Sequence, residues 1–289
     1  MKIVNVLGGL GNQLFQYAFA IALKDEFPDE IIKINTFCFN GYPLHNGFEL
    51  DKLFKIEIPF ASKWDMCRIA YPWFHYRLWQ IGRRILPNRK RMAWDRDYKM
   101  KFNFNLLNGK SYFDGYWQSP KFFERHKDTI VKAFSFPTLN DSDNLKALNF
   151  IQSKKTAFIH VRRGDYMNHP IYGGICTLSY YTEAIQKLRT KGYHRFIIFS
   201  NDITWCSENL IANLKDNDIL FADWNTNGSS YKDMQLMSYC NAGIIANSSF
   251  SWWGAWLGDL DTVICPDKWT RVVGHREDIY PEKWIKIKV

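Results

Sequence analysis

Short, dense apolar runs separated by amphipathic stretches pattern this chain. Residues 3–7, 31–34, 157–161, 196–199, 219–222, 243–246 and 263–265 have the length and continuity of strands buried on both faces. Between them, residues 12–24, 180–190, 205–214 and 232–240 read as helices, the first with Leu14, Phe15, Ala18, Ile21 and Ala22 along one face. Strands alternating with helices predict βαβ units, hence an α/β fold built on parallel sheet. Turn formers and polar residues cluster over 136–144, so a domain boundary is expected there or slightly after, giving units of 1–150 and 151–289. No internal repeat or low-complexity tract interrupts the pattern.

The polar residues that follow the second-half strands point to a site. Arg162 and Arg163 follow the run at 157–161, and Ser200, Asn201 and Asp202 follow 196–199. Asp223 follows 219–222, and Asn247, Ser248 and Ser249 follow 243–246. If the strands are parallel, these groups gather at one edge of one sheet, outside the carboxyl ends of the strands where open α/β sheets bind ligands.

Three segments carry the candidate chemistry. In His160-Val161-Arg162-Arg163-Gly164-Asp165-Tyr166, a strand delivers two adjacent guanidiniums and an acid into a turn. Neighbouring arginines need negative partners, and their donor forks match phosphate oxygens; pairing of Arg163 with Asp165 on the surface is the plainer alternative. Arg163-Gly164-Asp165 read as an adhesion tripeptide is too short to weigh against that strand context. Gly8-Gly9-Leu10-Gly11-Asn12-Gln13 closes the first strand and opens a helix, a turn in which backbone N–H groups can approach an anion. Its glycine spacing is neither the dinucleotide fingerprint nor a Walker loop, and tight strand–helix packing would explain it too. In Asn247-Ser248-Ser249-Phe250-Ser251-Trp252-Trp253-Gly254-Ala255-Trp256, hydroxyls precede a helix they can cap, leaving N–H groups for a phosphate. The three tryptophans either fill a core or wall a pocket.

Composition narrows the classes. At 289 residues, 46% hydrophobic and 23% charged, the chain is globular and long enough for one large or two smaller cores. It has no apolar run of about 18 residues and no signal-peptide pattern, so a cytoplasmic location is the default. Six scattered cysteines (Cys38, Cys67, Cys176, Cys206, Cys240, Cys265) indicate neither a zinc site nor a disulfide framework. The net charge of +9 is uneven: residues 63–96 alone carry +7, interleaved with Trp64, Tyr71, Trp73, Phe74, Tyr76, Trp79 and Trp94. Such a segment can pack its aromatics inward and solvate its charges, lie on an anionic membrane surface, or bind nucleic acid.

Taken together and in order, the three motifs resemble glycosyltransferase family 11, the α-1,2-fucosyltransferases. The similarity runs from Ile3 to about Trp269 and leaves out the segment from Trp64 to Trp94. It implies a GT-B-like pair of Rossmann-type domains with parallel sheets facing a cleft, the first on the acceptor side and the second binding the donor GDP-β-L-fucose. The implied reaction is inverting transfer to a galactose 2-hydroxyl, on a glycan or lipid-linked oligosaccharide. His160, Arg162 and Arg163 match donor-phosphate and nucleotide contacts, Ser248 and Ser249 match phosphate-side serines, and Asn12 matches an asparagine near the reacting sugar. Asp233 sits where the wider superfamily places an acid that reads guanine, whose N1–H and N2–H₂ are both donors. Asn201, Asp202 and Asn247 join the nucleotide set by their strand-end positions.

A departing GDP accumulates negative charge that arginines and helix N-termini can stabilise, so no metal is expected. The four Asp-x-Asp triplets (Asp95/Asp97, Asp141/Asp143, Asp216/Asp218, Asp259/Asp261) follow no apolar strand directly and read as loop residues. Asp165 and Asp202 are the candidate bases, and Asp165 also suits the role of orienting an arginine, so the reacting set is Arg162, Asn12 and Asp165. A different acceptor or linkage, a basic nucleic-acid-binding protein and a silent glycan-binding module are the alternatives to this reading.

Overall fold

The computed structural model describes residues 1–94, 107–214, 218–274 and 277–289. The chain divides into two compact units, Met1–Phe136 and Pro137–Val289. The division falls at the start of the turn-rich stretch, whereas a boundary at 150 would cut a helix that spans Ser142–Ser153. That helix belongs with the second unit because its cap, Asp141, accepts a hydrogen bond from Lys232, and its Asn144 is bonded to Asn225.

The first unit runs β1 (Lys2–Asn5), α1 (Leu10–Glu26), β2 (Ile32–Asn35), α2 (Leu50–Leu53), α3 (Lys63–Ile69), α4 (Tyr76–Ile85), β3 (Met92–Trp94), β4 (Tyr112–Asp114) and α5 (Lys127–Ala133). Its four strands are parallel in the order β2-β1-β4-β3. Helix α1 is buried almost all round from Leu10 to Leu23, which is why its sequence is apolar well beyond one face. A polar ladder crosses the carboxyl ends of three strands: Asn35 Nδ2 donates to Asn5 Oδ1 at 2.8 Å, and Asn5 Nδ2 to Asp114 Oδ1 at 3.1 Å. Helix α4 closes it, with Trp79 Nε1 donating to Asp114 Oδ2 at 2.9 Å and Arg83 Nε 3.3 Å from the same oxygen. Buried polar groups persist only when partnered, and this ladder fixes α4 to the sheet edge.

Part of the basic aromatic segment packs inward, while Trp64 stays 74% exposed. Tyr71, Trp73 and Trp94 are buried with Met66 and Tyr112, so these rings serve the core rather than alternating with charge at the surface. Asp95 and Arg96, the end of that segment, lie outside the described residues.

The second unit continues with α6 (Ser142–Ser153), β5 (Ala157–Val161), α7 (Leu178–Thr190), β6 (Arg195–Ser200), α8 (Ile203–Asn209), β7 (Asp218–Ala222), α9 (Tyr231–Ser238), β8 (Ala242–Ile244), α10 (Ser249–Leu257), β9 (Thr262–Pro266) and β10 (Ile285–Ile287). All six strands are parallel, in the order β10-β9-β8-β5-β6-β7. The chain starts at the centre with β5, winds outward to β7, and returns through α9 to β8 on the other side of β5. The reversal between β5 and β8 opens a crevice at the carboxyl ends of those two strands. Trp252 and Trp253 are fully buried and Trp256 nearly so, which resolves the tryptophan cluster as core.

Candidate active site

Arg162 and Arg163 emerge from β5 at that reversal. Arg162 makes a two-pronged pair with Asp165, Nε to Oδ1 at 2.8 Å and Nη2 to Oδ2 at 2.9 Å. Arg163 Nε donates to Asp202 Oδ2 at 3.1 Å, and its guanidinium lies 4.1 Å from the centre of the Trp205 ring. Sequence reasoning allowed an Arg163–Asp165 pair; the acids are instead divided one to each arginine. Asn201 joins the two, accepting from the Arg163 backbone N–H at 2.9 Å and donating to Asp165 at 3.3 Å. Asp202 also caps α8 through the Trp205 N–H at 3.1 Å, so its direction is set by the helix. Each guanidinium has five donors, and the pairs leave N–H groups of both for a ligand.

The other strand end holds less exposed groups. His160 is buried on β5, and its Nδ1 lies 2.8 Å from Ser251 Oγ on α10. Desolvation, reinforced by the Arg162 charge, holds its pKa down to about 3. At neutral pH the ring is uncharged and acts as a strut between β5 and α10, not as a cationic phosphate contact. Asn247 is likewise committed, donating to the carbonyls of Tyr172 and Trp269 at 3.1 Å each and accepting from Cys176 Sγ at 3.6 Å. Its amide shapes the loops beside the crevice. Ser248 caps α10, accepting from Phe250 N–H at 3.4 Å. Ser249, at the first helical position, is partly exposed, so it is the serine presented to solvent.

Asp233 sits in the first turn of α9 and is partly buried. Asn225 Nδ2 donates to its Oδ1 at 2.7 Å, the one hydrogen bond to its carboxyl group among the described residues. Desolvation outweighs that bond and pushes its pKa up to about 7. Asp141 shows the contrast: with Lys232 Nζ at 2.7 Å and Asn144 N–H at 3.0 Å, it is held down to about 2. Asn225 is itself oriented by Asn144, whose Oδ1 accepts from Asn225 at 2.7 Å and from Trp224 Nε1 at 3.1 Å. Asp233 thus keeps acceptor capacity for further donors. Asn144 and Asn225 were not singled out from sequence, where no spacing marks them, and Ser251 stood in the serine motif without a role of its own.

In the first unit, the glycine turn between β1 and α1 stands at the reversal between β1 and β4. Gly8 has φ of +102°, and a Cβ there would lie 3.0 Å from Asn12 Nδ2. Asn12 Oδ1 accepts from Gln118 Nε2 at 2.8 Å, which aims the side chain. Gln13 is buried and spent on the backbone, donating to Gly8 and Gly47 carbonyls at 2.8 Å and accepting from Glu49 N–H at 2.9 Å. Among the described residues no three His, Cys, Asp or Glu side chains cluster as a metal site. Of the Asp-x-Asp aspartates, Asp141 caps α6, Asp218 begins β7 and Asp259 pairs with Lys283; Asp95, Asp97 and Asp216 lie outside the described residues.

A crevice at a Rossmann-type reversal, lined by arginines and a helix cap, is where an open α/β sheet binds an anionic ligand, and sequence comparison decides which class of protein this is. The pattern described as "Glycosyl transferase family 11" matches residues 4–288. The chain belongs to glycosyltransferase family 11. This glycosyltransferase is 36% identical to an alpha-1,2-colitosyltransferase of Escherichia coli over 99% of its own length and 98% of the relative's. It is 29% identical to mouse galactoside alpha-(1,2)-fucosyltransferase 2, covering 90% of this chain and 69% of that one. Its GT-B architecture is shared with the fucosyltransferase NodZ from Bradyrhizobium, at a TM-score of 0.52 and 14% identity over 92% of this chain and 94% of that one.

Proposed function

We propose that this glycosyltransferase moves L-fucose from GDP-β-L-fucose to the 2-hydroxyl of a terminal galactose, with inversion and without a metal ion. The observation that carries the reading is the arginine pair at the β5–β8 reversal, each guanidinium oriented by its own acid. The acceptor oxygen bonds to the anomeric carbon as the sugar–phosphate bond breaks, and the electron pair passes to the departing diphosphate. Arg162 and Arg163 are charges fixed in advance where that negative charge develops, which is how a preorganised site lowers a barrier. Ser249 and the α10 N-terminus add hydrogen-bond donors to the same phosphates. Asp233, reached by a single protein donor, takes the guanine N1–H and N2–H₂.

In this reading Asp165 positions Arg162, because both of its oxygens are already engaged there. Asp202 is engaged by Arg163 and the α8 N-terminus. The acceptor proton then leaves to solvent or to the phosphate, as a good leaving group permits. Asn12, with its oxygen held by Gln118, offers its Nδ2 donor to a hydroxyl of the reacting sugars.

The 36% identical colitosyltransferase favours a second donor, a GDP-linked colitose, which lacks one ring hydroxyl of fucose. Incubation with each sugar nucleotide and a panel of galactosides, in excess EDTA, followed by linkage mapping, separates the readings. A 1→2 fucoside formed under EDTA supports the proposal; transfer only from the dideoxy sugar, a different linkage, or a requirement for added metal overturns the corresponding part.

A further inference from the structure

We infer that α4 is an interfacial helix that docks this enzyme onto an anionic bilayer surface. Leu78, Ile81 and Ile85 are 52%, 56% and 73% exposed. Their spacing puts them on one face of the helix, three aliphatic side chains in a row facing solvent. The face opposite is already used, since Trp79 and Arg83 bind Asp114, and Gly82, on the flank next to Leu78, lies so close to Trp73 that a Cβ would stand 2.2 Å from its Nε1. The helix therefore cannot roll its aliphatic stripe into the core.

Arg77 and Arg84 border the stripe, both exposed and without an ion pair among the described residues. They belong to the segment 63–96, which carries +7 of the chain's net +9. An aliphatic stripe edged by unpaired arginines is complementary to an anionic headgroup layer over acyl chains, the pattern of helices that lie in the membrane plane. At ten residues, α4 is about 15 Å long, enough to lie on a bilayer and too short to cross one. No described helix is long and apolar enough to cross a membrane.

The test is sedimentation of the full-length protein with vesicles of phosphatidylglycerol or of phosphatidylcholine, beside the variant L78S/I81S/I85S and the variant R77Q/R84Q. The wild type is expected to pellet with phosphatidylglycerol only, and less so in high salt. The triple serine variant should lose about tenfold in partitioning for each side chain removed, while keeping transfer to a water-soluble acceptor. Recovery in the supernatant with both vesicle types, or unchanged pelleting of the triple variant, overturns the proposal. So does a wild-type dimer in ultracentrifugation that the triple variant disperses, which would assign the stripe to a second copy of the chain.

Discussion

GDP binding should weaken as the pH falls below neutral, and Asp233 should be the cause. Guanine presents donors on the edge proposed to meet this residue, so the complex requires the carboxylate, whereas burial raises the free enzyme's pKa to about 7. Binding then expels a proton, and the apparent dissociation constant grows by a factor of one plus ten to the power of pKa minus pH. The factor is about 1.1 at pH 8 and about 11 at pH 6, so affinity drops roughly tenfold, about 1.4 kcal/mol, across that interval. Calorimetric titration with GDP at both pH values measures it, and two buffers of different ionisation heat expose the released proton. The β-phosphate of GDP also titrates near pH 6, so D233N, which keeps one acceptor and cannot ionise, supplies the baseline. Wild type and D233N with the same pH slope, or no proton release from the wild type at pH 6, would refute the reasoning.

Three further outcomes follow from the geometry. Arg162→Ala and Arg163→Ala should each lower kcat about 10²–10³-fold with thermal unfolding little changed, and near wild-type turnover in either would remove it from the phosphate site. In chemical denaturation, Asp114→Ala should cost about 3 kcal/mol, because Arg83 and the Trp79 N–H lose their acceptor together; a loss below about 1 kcal/mol would show the ladder is not structural. Because the folded pKa of Asp233 lies above its unfolded value, the native state holds an extra proton between about pH 4 and 7, so wild-type stability should fall as pH rises through that window relative to D233N. Equal pH–stability curves for the two proteins would contradict the raised pKa.

Most of the second unit could be read from the chain because parallel strands covered on both faces are written as unbroken apolar runs, as at β5 and β6. Strands β3, β4 and β10 escaped detection because polar residues break or flank their short apolar stretches, whereas the equally short β8 runs on into Ile245 and Ala246. Arg162, Arg163 and Asp202 were visible at their strand ends, yet which acid meets which arginine is decided by the turn after β5. That His160 would be neutral and Asn247 fully engaged could not be seen, because Ser251, Tyr172 and Trp269 meet them only through the fold. The orientation of α4, which the reading of residues 63–96 left open, was hidden for a related reason. An amphipathic period does not say which face the protein keeps, and here Asp114, 35 residues from Trp79 in sequence, makes the choice.

The division of acids among the arginines has a bearing on how the enzyme cycles. Arg162, Arg163, Asp165 and Asp202 together carry no net charge, so the empty site is an internally neutralised salt rather than a bare cationic trap. In the proposed reading, a diphosphate meets the guanidinium N–H groups that the acids leave open, and the neighbouring carboxylates moderate its grip. If GDP is the product, its departure leaves each arginine still paired with its own acid, with no unshielded pair of like charges behind it. A site neutralised in this way is expected to hold a highly charged product less tightly than a bare pair of arginines would.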